Sequence, residues 1–222
     1  MNAETIRWPQ QLGWVVAERE KRREKLESTG QPLTAADFAN SYVFRSTDGG
    51  NTWDDRTPLP DWSFETTLLR LHSGKLIAAI RYQPLIDLDT PLAKFGKRVF
   101  LADSEDDSRT WVNFRPVRRR SDGKPDLALG ECHGELPQLS DGAIVLTHDH
   151  RYPYEQQGLA RVSHDEGNTW TPEVYNLTRP GGNILGSHEK GVGSGYVSSV
   201  VLEDDTIVTM TGAGTCVRWK VE

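Results

Sequence analysis

The chain has 222 residues, a formal net charge of −6, 36% hydrophobic residues, seven Trp and two Cys, which suffices for one domain with a substantial core. The acidic balance argues against nucleic acid as a partner, no stretch is apolar enough to cross a membrane as a helix, and the start Met1-Asn2-Ala3-Glu4-Thr5 shows no secretory signal. Cys132 and Cys216 make no disulfide framework and read as small packed residues.

In chain order, Trp14 to Thr29 contains Glu18-Arg19-Glu20-Lys21-Arg22-Arg23-Glu24-Lys25, the composition of a charged helix with Glu18 and Arg22 paired at i,i+4. A loop motif follows, Ser46-Thr47-Asp48-Gly49-Gly50-Asn51-Thr52-Trp53. It recurs as Ser163-His164-Asp165-Glu166-Gly167-Asn168-Thr169-Trp170 and, in degraded form, as Ser104-Glu105-Asp106-Asp107-Ser108-Arg109-Thr110-Trp111. An Asp two residues before a Gly can accept backbone N–H bonds while the Gly takes the positive φ of a tight turn. Thr-Trp then opens a strand with an aromatic able to wedge between sheets. Ser108 stands where Gly is expected, which predicts a looser middle turn.

Between the loops runs a second repeat, two apolar strands joined by a turn: Leu68 to Ile77 around Ser73-Gly74, Leu136 to Leu146 around Asp141-Gly142, and Val200 to Val208 around Asp204-Asp205. Each reads as a hairpin. The Trp residues recur at 58 and 59 positions and the turns at 68 and 63, room for a four-stranded sheet per period and the signature of propeller blades. One blade is then strand, turn, strand, connection, strand, box, strand. On this template residues 1–58 end one blade and carry the helical insertion, 62–118 and 130–177 are blades, and 194–222 begin the last. The expected fold is all-β, a propeller with about three blades. Half a ring leaves open strand edges, so the chain is expected to belong to a longer protein or to close as a dimer. Arg118-Arg119-Arg120 reads as a solvated loop.

The innermost strand of each blade lines the axis of a propeller, so equivalent positions converge there. Eight residues before the turn residues Ser73, Asp141 and Asp204 stand Glu65, His133 and Tyr196. Arg81 lies eight residues after Ser73, and Arg161 two residues before the last box, where the other boxes have Phe44 and Ala102. Arginines at places the repeat otherwise fills with small or apolar residues are candidate site residues. His148-Asp149-His150-Arg151 reads as a polar rim at a strand end, with metal binding as a minor alternative. Neither a metal nor another cofactor is expected.

The boxes resemble the Asp-box of the sialidase superfamily, which implies a six-bladed β-propeller whose boxes lie away from the active site. Glu65 to Gly74 with Arg81 is similar to that family's Glu and second-Arg segment, and Gly195-Tyr196-Val197-Ser198-Ser199-Val200-Val201-Leu202 to its Tyr segment. Arg161 falls where the third Arg would. The resemblance implies Tyr196 as nucleophile, Glu65 as its base, and Arg81 and Arg161 gripping a substrate carboxylate, with His133 and Arg151 as further substrate-binding candidates. It implies an exo-acting hydrolase of a terminal anionic sugar such as sialic acid, with a carbohydrate as partner. Departures are the absence of a first Arg and an acid/base Asp, Thr211-Gly212-Ala213 where the family tends to have Tyr-Glu, and His133 itself, which has no counterpart in its site. The rival reading is a non-catalytic propeller that binds a glycan or protein, and the chain on its own is expected to be inactive on sialosides.

Overall fold

The structure, a computed structural model, describes residues 24, 28, 41–60, 63–82, 98–117, 131–150, 157–171, 175–177, 196–212 and 216–222. Of the helix expected over 14–29, the described residues Glu24 and Ser28 are helical, and the rest lies outside the described residues.

The strands are β1 (Tyr42–Arg45), β2 (Asp54–Pro58), β3 (Ser63–Arg70), β4 (Leu76–Tyr82), β5 (Arg98–Ser104), β6 (Val112–Pro116), β7 (Glu131–Glu135), β8 (Ile144–His150), β9 (Gln157–Ser163), β10 (Tyr175–Asn176), β11 (Ser198–Val201), β12 (Ile207–Met210) and β13 (Cys216–Trp219). They form four antiparallel sheets in plain up-and-down order: β1-β2, β3-β4-β5-β6, β7-β8-β9-β10 and β11-β12-β13. Apart from Glu24 and Ser28, the regular structure of the described residues is all-β, a sialidase-like propeller of which about three blades are present.

Strand β4 shows why these sequences make blades. Leu76-Ile77-Ala78-Ala79-Ile80 is apolar without alternation because both of its faces are covered. Leu76, Ala78, Ile80 and Tyr82 pack with Leu59, Phe100 and Trp111 on one side. Ile77 and Ala79 pack with Val99, Leu101, Ile144, Leu146 and Trp170 on the other. Strand β8 does the same between its own neighbours, sending Val145 into a third core with Ala160, Val162 and Ile207. Each of the two four-stranded sheets is thus the filling between two others.

The hairpins repeat to the residue. Leu71, Leu139 and Leu202 each donate their N–H to the carbonyl four positions on, at 2.8 Å, in all three blades. The third turn residue takes a left-handed φ: +91° at Gly74, +92° at Gly142 and +60° at Asp205. Adjacent hairpins are tied, Ser140 N–H donating to Asp205 Oδ1 at 2.9 Å and His72 N–H to Gln138 Oε1 at 3.0 Å.

The boxes close as their sequence predicts. In the last, Thr169 N–H donates to Asp165 Oδ1 at 2.7 Å, Thr169 Oγ1 to Asp165 Oδ2 at 2.6 Å, and Gly167 N–H to Ser163 Oγ at 2.8 Å. The degraded middle box is as tight: Thr110 N–H reaches Asp106 Oδ1 at 2.8 Å and Ser108 N–H reaches Ser104 Oγ at 2.9 Å. The expectation of a looser turn is corrected, because Ser108 itself adopts φ +63°. Trp111 and Trp170 are buried between sheets, whereas Trp53 is exposed. An arginine from the preceding sheet grips the left-handed turn of two boxes. Arg45 donates to Asp107 O at 2.8 Å and Ser108 Oγ at 2.9 Å, and Arg115 to Gly167 O at 3.2 Å and Glu166 O at 3.3 Å. Cys216 is exposed, against the expectation of a packed residue.

Candidate functional site

Register fixes where the site lies. Leu76 pairs with Ser104, at the box end of its sheet, and Tyr82 with Arg98 at the opposite end. Glu65, near the start of β3, and Arg81, near the finish of β4, therefore lie at the end of the sheet away from the boxes. The β3 ladder is irregular between Ser63 and Thr66, and the β7 ladder between Cys132 and Glu135. Bulges of this kind re-aim side chains, and Glu65 and His133 sit in them.

Four of the six candidates converge across three sheets. Arg81 Nη1 lies 2.6 Å from Glu65 Oε1, a charge-assisted contact that holds the carboxylate in place. Tyr196 Oη donates to the same Glu65 oxygen at 3.3 Å, across 131 residues of sequence. His133 Nδ1 stands 3.8 Å from Glu65 Oε2, and the His133 and Tyr196 rings meet edge to face with centroids 5.1 Å apart. The Arg81 guanidinium also lies over the Phe64 ring, 5.6 Å from its centroid. Tyr196 is 58% exposed, so its hydroxyl is open to a ligand.

Two aromatic residues of the site also carry a strained backbone. His133 has φ +47° and Tyr196 φ +63°, a left-handed conformation that is rare for a bulky aromatic. Such strain persists only where surrounding structure over-determines it, and it clusters at functional sites.

Arg161 is placed differently. It lies on β9 opposite Leu146 and is wholly buried, on the third strand of its blade instead of the inner two. Arg151 lies outside the described residues. His148 and Asp149, expected on a polar rim, are fully buried within β8, and the described residues contain no group of three or more His, Cys, Asp or Glu able to hold a metal ion.

Glu135 joins the cluster without having been singled out in the sequence. Its Oε1 lies 3.7 Å from His133 Nε2, with the Glu135 side chain 23% exposed. Burial raises its carboxyl above the ordinary carboxylate range, although His133 and a hydrogen bond from Thr67 pull the other way. The available signal was its i,i+2 spacing from His133, which places two residues on one side of a strand.

The architecture is that of a sialidase-like β-propeller, and polar groups converge on its inner strands. No protein-family model and no curated protein matches the chain. Among solved structures it is similar to the GH93 α-L-arabinofuranosidase of Fusarium graminearum with arabinobiose (16% identity, TM-score 0.54, 83% of this chain and 56% of that one). It is also similar to the NanB sialidase of Streptococcus pneumoniae (17%, 0.52, 82% and 26%) and to the xylan β-1,4-xylosidase of Bacillus halodurans (14%, 0.51, 82% and 32%). The chain thus spans little more than half the length of the first of these and less of the others.

Proposed function

We propose that this chain carries part of the active site of a sialidase-like glycoside hydrolase acting on a terminal anionic sugar. The observation that supports the reading most is the Tyr196 hydroxyl donating to Glu65, which Arg81 grips in turn. A phenol is a weak nucleophile at neutral pH and needs an adjacent base. Glu65 takes the Tyr196 proton as the phenolic oxygen attacks the anomeric carbon, giving a tyrosyl-linked sugar, a recognised exception to hydrolysis by two carboxylates. A neutral phenol also avoids the repulsion that a carboxylate nucleophile would offer an anionic substrate. Arg81 orients Glu65 and presents the positive charge that a sugar carboxylate seeks; His133 borders the sugar beside the Tyr196 ring.

The rival, a non-catalytic propeller that binds a glycan or protein, is favoured by one observation. Arg81 is engaged with Glu65 and Arg161 lies inside its blade, so the carboxylate clamp of the resemblance rests on Arg81 alone among the described residues. Tyr196→Phe separates the readings, with the chain and the longest open reading frame that encodes it assayed side by side. Hydrolysis of a 4-methylumbelliferyl sialoside is expected to fall at least about a hundredfold while binding of the sugar, read by saturation-transfer NMR, persists. Turnover unchanged by Tyr196→Phe would sink the tyrosine mechanism, and binding with no turnover in either protein would leave the binding module.

A further inference from the structure

We propose that Glu135 is the general acid of this site. The proposal rests on the hydrolase reading above and supplies the proton donor which that reading lacks. Two carboxyl groups flank His133, and their surroundings differ. Glu65 faces the Arg81 guanidinium at 2.6 Å and the Tyr196 hydroxyl at 3.3 Å, the contacts expected of the group that accepts the hydroxyl's proton. Glu135 faces the imidazole Nε2 at 3.7 Å and the Thr67 hydroxyl, and burial raises its carboxyl above the usual range. A pair of titratable groups whose environments push them apart is the arrangement that divides base from acid.

Position supports the same division. Glu135 ends the inner strand β7, and its side chain keeps 23% of its surface exposed, close to the 27% of Glu65. Both side chains therefore keep part of their surface open to solvent. Asp149, on the neighbouring strand β8, is fully buried and has no such access. The bulge between Cys132 and Glu135 and the left-handed φ of His133 hold the imidazole between the two carboxyls, so the residue with no counterpart in the sialidase site gains a task. It stands between base and acid, 3.8 Å from the one and 3.7 Å from the other.

The chemistry balances. In the first half-reaction Tyr196 O bonds to the anomeric carbon and passes its proton to Glu65, while the carbon–oxygen bond to the leaving group breaks and Glu135 gives its proton to that oxygen. In the second, water attacks the same carbon, its proton goes to the Glu135 carboxylate, and the phenolic oxygen leaves with the proton stored on Glu65. The net result is one glycoside and one water converted to sugar and alcohol, with all three side chains restored.

Leaving-group dependence tests the assignment. In the protein of the longest open reading frame that encodes this chain, Glu135→Gln is expected to lower turnover of 3′-sialyllactose, whose departing alkoxide needs a proton, by at least about 10²-fold. The loss on the 4-nitrophenyl sialoside, whose phenolate leaves unaided, is expected to stay below tenfold. Equal losses on the two substrates would overturn the proposal. A second measurement stands apart from turnover: ¹³C-detected titration of the Glu135 carboxyl, assigned by its disappearance in Glu135→Gln, is expected to have its midpoint above about 4.3, the ordinary Glu value. A midpoint at or below that value would overturn the acid role, even in a chain that turns nothing over. Loss of the tyrosine mechanism is distinguishable, because Tyr196→Phe would then leave turnover intact while the leaving-group pattern of Glu135→Gln remained.

Discussion

Gly134 separates His133 from Glu135, and replacing it tests whether the site is built on the contact between two blades. A Cβ at this position would stand 3.0 Å from Leu146 Cδ1, 3.1 Å from Val99 Cγ1 and 3.4 Å from Ala79 Cβ. Val99 and Ala79 belong to the neighbouring sheet, and all three side chains are fully buried, so none can swing into solvent to make room. Overpacking of this kind costs about 1–3 kcal/mol, and relief of the glycine's unfolded-state entropy returns roughly 0.5–1 kcal/mol. Gly134→Ala is therefore expected to destabilise by about 1–2 kcal/mol, read from guanidinium unfolding followed by Trp fluorescence. The loss should not add to that of its neighbour. Leu146→Ala alone removes buried side chain at about 2–5 kcal/mol, but in the Gly134→Ala background the new methyl occupies part of the cavity. A double-mutant cycle should thus show a favourable coupling of about 0.5 kcal/mol or more. Gly134→Ala that leaves stability unchanged or raises it, or a cycle that closes additively, would refute the tight approach of β7 to the preceding sheet.

Arg115→Ala strips four hydrogen bonds, to Gly167 O, Glu166 O, Asp103 Oδ2 and Asn113 O, and leaves the Asp103 carboxylate, at 8% side-chain exposure, without this cation and with the Asn113 amide still donating to it. It should cost about 3–5 kcal/mol in denaturant unfolding, against no more than about 0.5 kcal/mol for Arg109→Ala, which is 60% exposed; similar losses would remove the inter-blade staple from the account. The box carboxylates give the protein an acid limit. Hydrogen bonds from the Thr52 side chain and backbone hold Asp48 at about 2, and those from the Thr110 backbone and side chain hold Asp106 at about 2. Because folding depresses these values, the unfolded chain takes up protons first. Their contribution is complete above about pH 4 and is lost as the pH falls toward 2, so denaturation midpoints should drop over that window and Asp106→Asn should flatten the slope. A slope unchanged by Asp106→Asn would mean that the box bonds do not drive the acid transition.

The parts of this molecule legible in its sequence are those governed by repetition. The box bonds follow from Ser, Asp and Thr at fixed offsets, and three copies of one hairpin make strand pairing readable without long-range information. Counting back from each turn found Glu65, His133 and Tyr196 because equivalent places on inner strands meet at the axis, whatever their side chains are. Burial was less legible. His148 and Asp149 have the look of a rim, yet β8 is sandwiched between sheets on both faces and takes them inside. Arg161 breaks the apolar rule of its strand and was read as a site residue on that ground, but the offset that picked it was measured from a box, at the far end of the sheet, and places it on the third strand instead of the inner two. Ser108 shows the converse, since a missing Gly does not open the turn when the Ser accepts a left-handed φ.

Glu135 was passed over for a related reason. Counting one position per blade finds the residue that repeats and misses a neighbour present in a single blade. Position 135 corresponds, at the same distance from its hairpin leucine, to Thr67 in the blade before and to Ser198 in the blade after. Thr67 is the residue whose hydroxyl bonds Glu135, so two equivalent inner-strand places in adjacent blades touch, one supplying a carboxyl and the other a donor. The fold therefore offers a second ring of axial positions, two residues along from the first. The first ring carries the base, the imidazole and the phenol, while the three positions compared in the second are Thr67, Glu135 and Ser198, of which Glu135 is the acid. If Glu135 delivers the proton, the specialisation of the site came from varying one member of that second ring, with the backbone repeat that positions it left unchanged.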